Sequence, residues 1–208
     1  MATQSLKYDL AIKYLLDGTV DLDTDTIRVA LLTSAYNPRP GAAAWVAATV
    51  YAVNTIIISG GRYYEAIVGG TSSGALPFFN TTAGSITTDS TVTWYSWGYA
   101  PPSAHGVWAD VSANEISGTG YTAGGVALAG KAVTLSAHGA IFSANTAGWT
   151  SALFTARYAV IYKNGTANAV VNPLLCYVLL DDTNIDVGIP VLGAFNLAWP
   201  AAGIFAIN

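Results

Sequence analysis

The chain has 208 residues, of which 52% are hydrophobic and only 10% are charged, and its formal net charge is −4. Soluble domains carry about 25% charged residues, so the surface must be largely apolar or neutral-polar, as in a subunit of an assembly or in a small secreted β-protein. The eight basic residues form no patch, so nucleic-acid binding is not expected. A single cysteine, Cys176, excludes an intrachain disulfide.

Neither end of the chain predicts targeting to a membrane. Residues 1–5 are polar, Lys7 and Asp9 follow, and the apolar core of a signal peptide is missing, so we expect synthesis and assembly in a cytoplasm. The nearly uncharged stretch 188–207 contains Pro190, Pro200 and three glycines. Because a spanning helix tolerates that set poorly, short strands joined by turns are the favoured interpretation, and no membrane partner is expected.

The first elements are a helix and an acidic turn. Residues 6–16 approximate a helical apolar stripe, and Gly18 supplies a stop. Asp21, Asp23 and Asp25 then alternate as at the start of a calcium loop, but the glycine and the distal glutamate of an EF-hand are missing. A turn with solvent-facing carboxylates is therefore predicted.

The rest of the chain consists of β-rich runs separated by turns, and these runs recur at the interval that is typical of strands in β-sandwiches and β-barrels. These runs cover residues 26–33, 49–59, 62–68, 91–95, 126–135, 154–162 and 174–180. The first is predicted to be a central strand, residues 69–74 a flexible loop, and Asn164-Gly165 a turn. The predicted fold class is all-β, with a β-sandwich or barrel-like outer domain, one short N-terminal helix and a small inserted β module.

A change in composition divides the chain into two predicted domains. The residue composition is similar before residue 41 and after residue 103. Residues 42–102 differ from it in composition and are flanked by two pairs of prolines. We predict a discontinuous β-sandwich domain formed by residues 1–41 and 103–208, with a small inserted β module at 42–102. Such an insertion is tolerated where its ends meet at a surface loop tip.

Four segments of the outer domain carry a family resemblance, and they occur in the family's order: residues 23–33, 115–128, 155–162 and 198–204. They resemble a family of tailed-phage proteins that are labelled virion structural or decoration proteins. The resemblance implies a virion location and a capsid decoration or cement protein that binds the major capsid protein or other virion subunits. It also implies a homo-oligomer, with a trimer as one option, that displays the insert outward.

The most specific of these segments is rich in glycine. Gly118, Gly120, Gly124 and Gly125 permit positive φ and close backbone approach, and Tyr121 adds a large ring with a hydrogen-bonding tip. A bulged turn inside a sheet is the favoured interpretation.

The insert has a resemblance of its own. Its marks are Trp45, residues 50–51, 62–66 and 70–74, Pro77 and residues 89–94. They resemble a small aromatic module of phage structural proteins, related in pattern to chitin-binding-type carbohydrate modules. The family places an aromatic residue, often tryptophan, after the proline, and Phe78 and Phe79 follow it here.

Aromatic faces that stack on pyranose rings make five residues candidates for contact with a glycan or a protein: Tyr63, Tyr64, Phe78, Phe79 and Trp97. A module of this size also needs rings for its core. Trp45 and Trp94 are assigned to the core, whereas both roles stay open for Tyr63, Tyr64 and Trp97. Because side chains alternate along a strand, one of Tyr63 and Tyr64 should face the core and the other should face outward.

Catalysis, cofactors and metal binding find no support in the sequence. His105 and His138 have no cysteine or carboxylate at ligand spacing and are interpreted as surface or turn histidines. The only glutamates, Glu65 and Glu115, have no aspartate predicted opposite them for glycoside hydrolysis. No phosphate loop is present. We therefore expect a non-enzyme, and the alternative function is a tail- or neck-associated adhesin that binds a host surface glycan.

Overall fold

The computed structural model describes residues 4–136 and 139–207, so the predicted turn histidine at 138 lies outside the described residues. The chain divides into two compact units: unit 1 comprises Met1–Asn37 and Pro102–Asn208, and unit 2 comprises Pro38–Pro101. Unit 2 corresponds to the insert predicted at 42–102. Both units are built from strands, and the predicted all-β class is confirmed.

Unit 1 begins with strand β1 (Gln4–Lys7), helix α1 (Ala11–Leu16) and strand β2 (Ile27–Leu32). Unit 2 contains seven strands among the described residues: β3 (Ala43–Ala44), β4 (Val50–Tyr51), β5 (Ile56–Ser59), β6 (Arg62–Val68), β7 (Gly70–Thr71), β8 (Ile86–Asp89) and β9 (Val92–Gly98).

Unit 1 resumes with two 3₁₀ turns, Trp108–Asp110 and Ser112–Asn114. Its remaining strands follow: β10 (Val126–Ala127), β11 (Ala132–Ser136), β12 (Gly139–Ser143), β13 (Ala147–Ala152), β14 (Thr155–Ala156), β15 (Tyr158–Lys163), β16 (Thr166–Ala167), β17 (Val170–Val171), β18 (Leu174–Leu179), β19 (Val187–Gly188), β20 (Gly193–Leu197) and β21 (Phe205–Ile207).

The main sheet of unit 1 is antiparallel and has the order β1-β18-β15-β2-β10. Every residue of β15 and β18 is buried, which is why these strands are continuously apolar instead of alternating. The core lies between this sheet and two smaller ones, β11-β12-β21 and β13-β20, and contains Val29, Phe142 and Trp149. Cys176 is fully buried, and this burial raises the pKa of its thiol to about 12.

The predicted helix over residues 6–16 is wrong in its first half. The N-terminal residues form β1, which pairs with β18 in the register Leu6↔Tyr177, and α1 begins only at Ala11. Leu6 and Tyr8 are buried while the residues between and before them are less so, a period of two that suits a strand. In residues 4–7, pairing with the fully buried strand β18 is therefore more favourable than the helix that the weak apolar stripe indicates.

The acidic turn forms as predicted, but one carboxylate does not face solvent. Asp21 Oδ1 accepts hydrogen bonds from the backbone N–H groups of Asp23 and Thr24 at 3.0 and 3.2 Å. Asp25 instead forms an ion pair of 2.8 Å with Lys163, whose side chain is largely buried. The lysine supplies the positive charge that a calcium ion would bring.

The glycine-rich segment is fastened to β2 through one carboxylate. Glu115 Oε1 accepts hydrogen bonds from the Tyr121 hydroxyl at 2.7 Å and from Gly124 N–H at 2.6 Å. The same hydroxyl accepts a hydrogen bond from Leu31 N–H at 3.0 Å. Burial, followed by the hydrogen bond to Glu115, raises the pKa of Tyr121, which stays neutral. We call Glu115, Tyr121 and Gly124 the Glu115 clamp.

Arg28 and Gly125 hold the other end of this segment. The Arg28 guanidinium donates hydrogen bonds to the carbonyl oxygens of Gly124 at 2.9 Å and Gly125 at 2.6 Å. At Gly125, where φ is +67°, an added Cβ would lie 1.9 Å from Val29 O. The segment therefore consists of turns leading into β10, pressed against β2, and not of a bulge inside a sheet as predicted.

Two further turn predictions are corrected. Residues 69–74 are not a loose loop, because β7 pairs with β4 and a Cβ at Gly70 would lie 2.4 Å from Thr91 Oγ1. The glycine serves close packing. Asn164-Gly165 does not join β15 directly to β18, since the hairpin β16-β17 intervenes. Its turn residues, Asn168 and Ala169, both have positive φ. An alanine in the sequence does not predict this conformation.

The C-terminal stretch 188–207 forms short strands joined by turns, as predicted. Among the described residues, no helix is long and apolar enough to cross a membrane.

The close approach at Gly125 gives a first prediction. In Gly125→Ala the new methyl group would overlap Val29 O while the backbone stays left-handed. We expect the free energy of unfolding to fall by about 2–4 kcal/mol, measured by denaturant titration. In the control, Gly193→Ala, the nearest atoms to the Cβ lie at 3.4 and 3.5 Å, and a change within about 0.5 kcal/mol is expected. Equal stability of the two variants would contradict the close approach of Gly125 to β2.

Candidate functional site

The core of unit 2 contains two of the five predicted contact residues. Tyr64 and Phe79 stack with ring centroids 4.3 Å apart and are both buried. They pack in a cluster with Tyr51, Ile57, Ala66, Val92 and Trp94. For these two residues the prediction of ligand contact is wrong, because the module uses them as its core.

Asp89 orders the tryptophans of this core. Its Oδ2 accepts hydrogen bonds from Trp45 Nε1 at 2.8 Å and Trp94 Nε1 at 3.1 Å, and its Oδ1 accepts one from Ser73 N–H at 2.8 Å. The carboxylate is 2% exposed. Burial disfavours its ionised form, but the hydrogen bonds from Ser73, Trp45 and Trp94 outweigh burial and hold the pKa of Asp89 below its ordinary value. Trp94 is thus a core residue, as predicted, whereas Trp45 is partly buried and packs against the core.

Tyr63 corrects a second prediction. It lies on the opposite face of β6 from Tyr64, as alternation requires, but it is only 8% exposed. The expectation that one of the two tyrosines faces solvent is therefore wrong. Alternation determines which face of a sheet a side chain occupies, whereas it does not determine whether that face is covered.

A β-bulge positions Trp97, the next candidate. Tyr63 pairs with Gly98 and Tyr64 pairs with Ser96, so Trp97 is an extra residue in β9. Gly98 has a φ of +65°, which suits a glycine at a bulge. Bulges redirect side chains, and Trp97 remains partly exposed although the residues on both sides of it are buried.

Trp97 is part of a small polar-aromatic group that we call the outer aromatic face: Glu65, Tyr95 and Trp97. Trp97 Nε1 donates a hydrogen bond of 2.8 Å to Glu65 Oε2. The Tyr95 and Trp97 rings meet edge to face with centroids 4.9 Å apart. All three side chains are partly exposed. Glu65 Oε1 accepts no hydrogen bond from the described residues, so a fixed ring and an open acceptor lie side by side.

Phe78, the fifth candidate, lies elsewhere, in the loop between β7 and β8. Its side chain is 97% exposed, and Leu76 in the same loop is also exposed. The neighbouring Phe79 is held in the core, so Phe78 projects away from it. The sequence predicted neither this division nor the roles of Glu65 and Asp89. Their one available signal was an aromatic residue nearby in the chain, since Glu65 follows Tyr64 and Asp89 precedes Trp94 by five positions.

A serine and a histidine lie within hydrogen-bond distance in unit 1. Ser103 Oγ lies 3.0 Å from His105 Nδ1 and 3.1 Å from the Tyr36 hydroxyl, and Ser103 is fully buried. The Asp110 carboxylate accepts hydrogen bonds from Gly106 and Val107 N–H. Within residues 4–136 and 139–207, no group of three or more His, Cys, Asp or Glu side chains is placed to hold a metal ion.

No protein-family model, curated protein or solved structure matches this chain. The geometry of the two units is therefore the basis for assigning a function.

Asp89 gives the second prediction. An amide in Asp89→Asn keeps the shape but must turn its NH₂ group toward at least one N–H donor, so the free energy of unfolding should fall by roughly 1–3 kcal/mol at pH 7. A carboxyl with a lowered folded pKa stabilises the fold above its unfolded value of about 3.9, and this contribution is lost as the pH falls through the folded pKa. The difference between wild type and variant should shrink below about pH 4.

Thermal unfolding over a pH series, monitored by near-ultraviolet circular dichroism, measures this difference. The control is Asp182→Asn, which changes an exposed carboxyl and should alter stability by less than about 0.5 kcal/mol. A pH-independent difference for Asp89→Asn would show that ionisation of Asp89 does not matter.

Proposed function

We propose that the chain is a non-enzymatic structural protein of a tailed-phage virion, a capsid decoration or cement protein that binds the shell through unit 1. The observation that carries this proposal is the apolar, weakly charged surface of unit 1. Large apolar side chains are exposed on it, including Leu16, Leu135, Ile185, Val191 and Leu192. Exposed apolar area marks contact with other subunits where it forms a contiguous patch.

The use of the charged groups supports the same proposal. Several of the charged side chains that do occur are engaged inside unit 1, as in the Lys163–Asp25 pair, the Glu115 clamp and the Arg28 contacts. They are therefore less able to keep the surface hydrated and the protein apart from its neighbours. A cement protein works by burying joint surface across neighbouring capsomers, and symmetry multiplies each small contact.

The copy number per particle tests the location. A shell protein should be present in roughly hundreds of copies, whereas a tail or neck protein should be present in about three to twelve. A quantified gel of purified particles measures this directly. A count in the lower range would overturn the shell assignment.

The third prediction concerns incorporation into particles. Val191 is 72% exposed, so Val191→Asp should leave unit 1 folded while placing a charge in the apolar surface. We expect incorporation to fall about tenfold or more, since 1.4 kcal/mol of lost affinity suffices for that factor. Thr146→Asp adds the same charge at an exposed polar position and should incorporate normally. Normal incorporation of both variants would remove Val191 from the contact.

A second function, glycan binding by a tail- or neck-associated adhesin, is favoured by one observation. The outer aromatic face combines a ring held by a hydrogen bond with the open acceptor Glu65 Oε1. Aromatic faces contact pyranose rings through their apolar side, and carboxylate oxygens accept hydroxyl protons. The arrangement suits a neutral sugar.

The fourth prediction tests this face on a glycan array with the full chain. Trp97→Ala should weaken binding roughly 2- to 12-fold, which corresponds to the 0.5–1.5 kcal/mol of a ring-stacking contact. Val53→Ala trims an exposed side chain of unit 2 outside the face and should bind as wild type does. The absence of any glycan signal from the folded wild-type chain would leave only the structural role.

A further inference from the structure

Strand β11 has an open edge. It pairs with β12 in the register Val133↔Phe142 and Leu135↔Ala140, and in the sheet order β11-β12-β21 no described strand lies on its other side. Phe142 is buried in the core, whereas Leu135 is 94% exposed and Val133 is also exposed. The strand thus extends from the body of unit 1 with unpaired backbone groups and apolar side chains in water.

This edge lacks the features that keep strands apart. Charged side chains, prolines and bulges normally protect an open edge from pairing with another chain. None of the residues of β11, β12 or β21 is charged, none is a proline, and the β11-β12 register is continuous. Strand β1, at the edge of the main sheet, by contrast carries Lys7.

The order of side chains in β11 makes the edge complementary to itself. If two copies of Ala132–Ser136 pair antiparallel about Thr134, Val133 of each copy lies opposite Leu135 of the other, on one face. Thr134 lies opposite Thr134, and Ala132 opposite Ser136, on the other face. Val133 and Leu135 then form apolar pairs and the two Thr134 hydroxyls meet, and both kinds of cross-strand pair are favourable. The small Ala132 and Ser136 side chains face each other at the ends without a clash of charge.

We propose that the chain forms a two-fold homodimer by antiparallel pairing of β11 with β11 of a second copy. The two three-stranded sheets then join into one continuous sheet of six strands. The contact is isologous and closes on itself, so it builds dimers and not a three-fold ring. The proposal depends on the edge of β11 alone and is independent of the virion role.

A charge-swap experiment tests the pairing and its register. Thr134→Lys and Thr134→Glu each place like charges directly opposite one another across the two-fold axis, which is destabilising. Each variant alone should dimerise at least tenfold more weakly than wild type, whereas an equimolar mixture should recover the dimer. Light scattering after size exclusion, at up to about 100 µM because a contact this small is weak, should give wild type twice the 21.5 kDa of one chain.

Crosslinking gives an independent readout. Antiparallel partners have Cα atoms about 4.5–5.5 Å apart, within the range of about 4.4–6.8 Å for a disulfide. Thr134→Cys should therefore form a covalent dimer under mild oxidation. Wild type should not, because Cys176 is fully buried. Thr146→Lys is the control for added charge and should dimerise as wild type does.

A monomeric wild-type chain throughout this concentration range would overturn the proposal. So would a dimer that survives both charge variants, a mixture that fails to recover the dimer, or a Thr134→Cys variant that stays monomeric after oxidation. A trimer or a larger assembly that ignores all three Thr134 variants would assign self-association to another surface.

Discussion

Scarcity of charge is the constraint on which the rest of this structure depends. Among 208 residues only eight are basic and twelve acidic, and many of these side chains act as fixed hydrogen-bond partners within a unit. Asp89 accepts hydrogen bonds from two indole N–H groups. Glu115 accepts a hydrogen bond from the Tyr121 hydroxyl in the glycine-rich segment, and Lys163 forms an ion pair with Asp25 of the acidic turn. A charged group satisfied in this way is worth more than a neutral one, because hydrogen bonds to charged groups are stronger.

The same constraint shapes the surface. Carboxylates and ammonium groups committed to internal partners contribute less to hydration and to repulsion between copies, so neutral and apolar side chains remain outside. The open edge of β11 and the exposed Val191 are two results of this in unit 1, and Phe78 is one in unit 2. The exposed side chains at these positions contribute little to stability, so substitutions there change the free energy of folding only slightly.

The fold class was predictable because β-rich runs and glycine-containing turns are local signals. The failures occurred where a long-range partner decided the outcome. Leu6 pairs with Tyr177 in a strand far along the chain, Gly70 packs against Thr91, and Tyr63 is buried on a face whose cover no local pattern reveals. The site was predicted less well for the same reason, since Trp97 was identified by residue type, whereas its partner Glu65 lies on another strand.

Two adjacent phenylalanines show that residue type alone does not determine whether a side chain is buried. Phe78 and Phe79 have the same side chain and neighbouring positions, yet one is 97% exposed and the other packs on Tyr64. The buried ring contributes to the stability of unit 2, and truncating such a ring costs about 3–5 kcal/mol. The exposed ring contributes almost nothing to folding, and contact of Phe78 with a partner stays a prediction. Burial separates these two phenylalanines, whereas residue type alone does not.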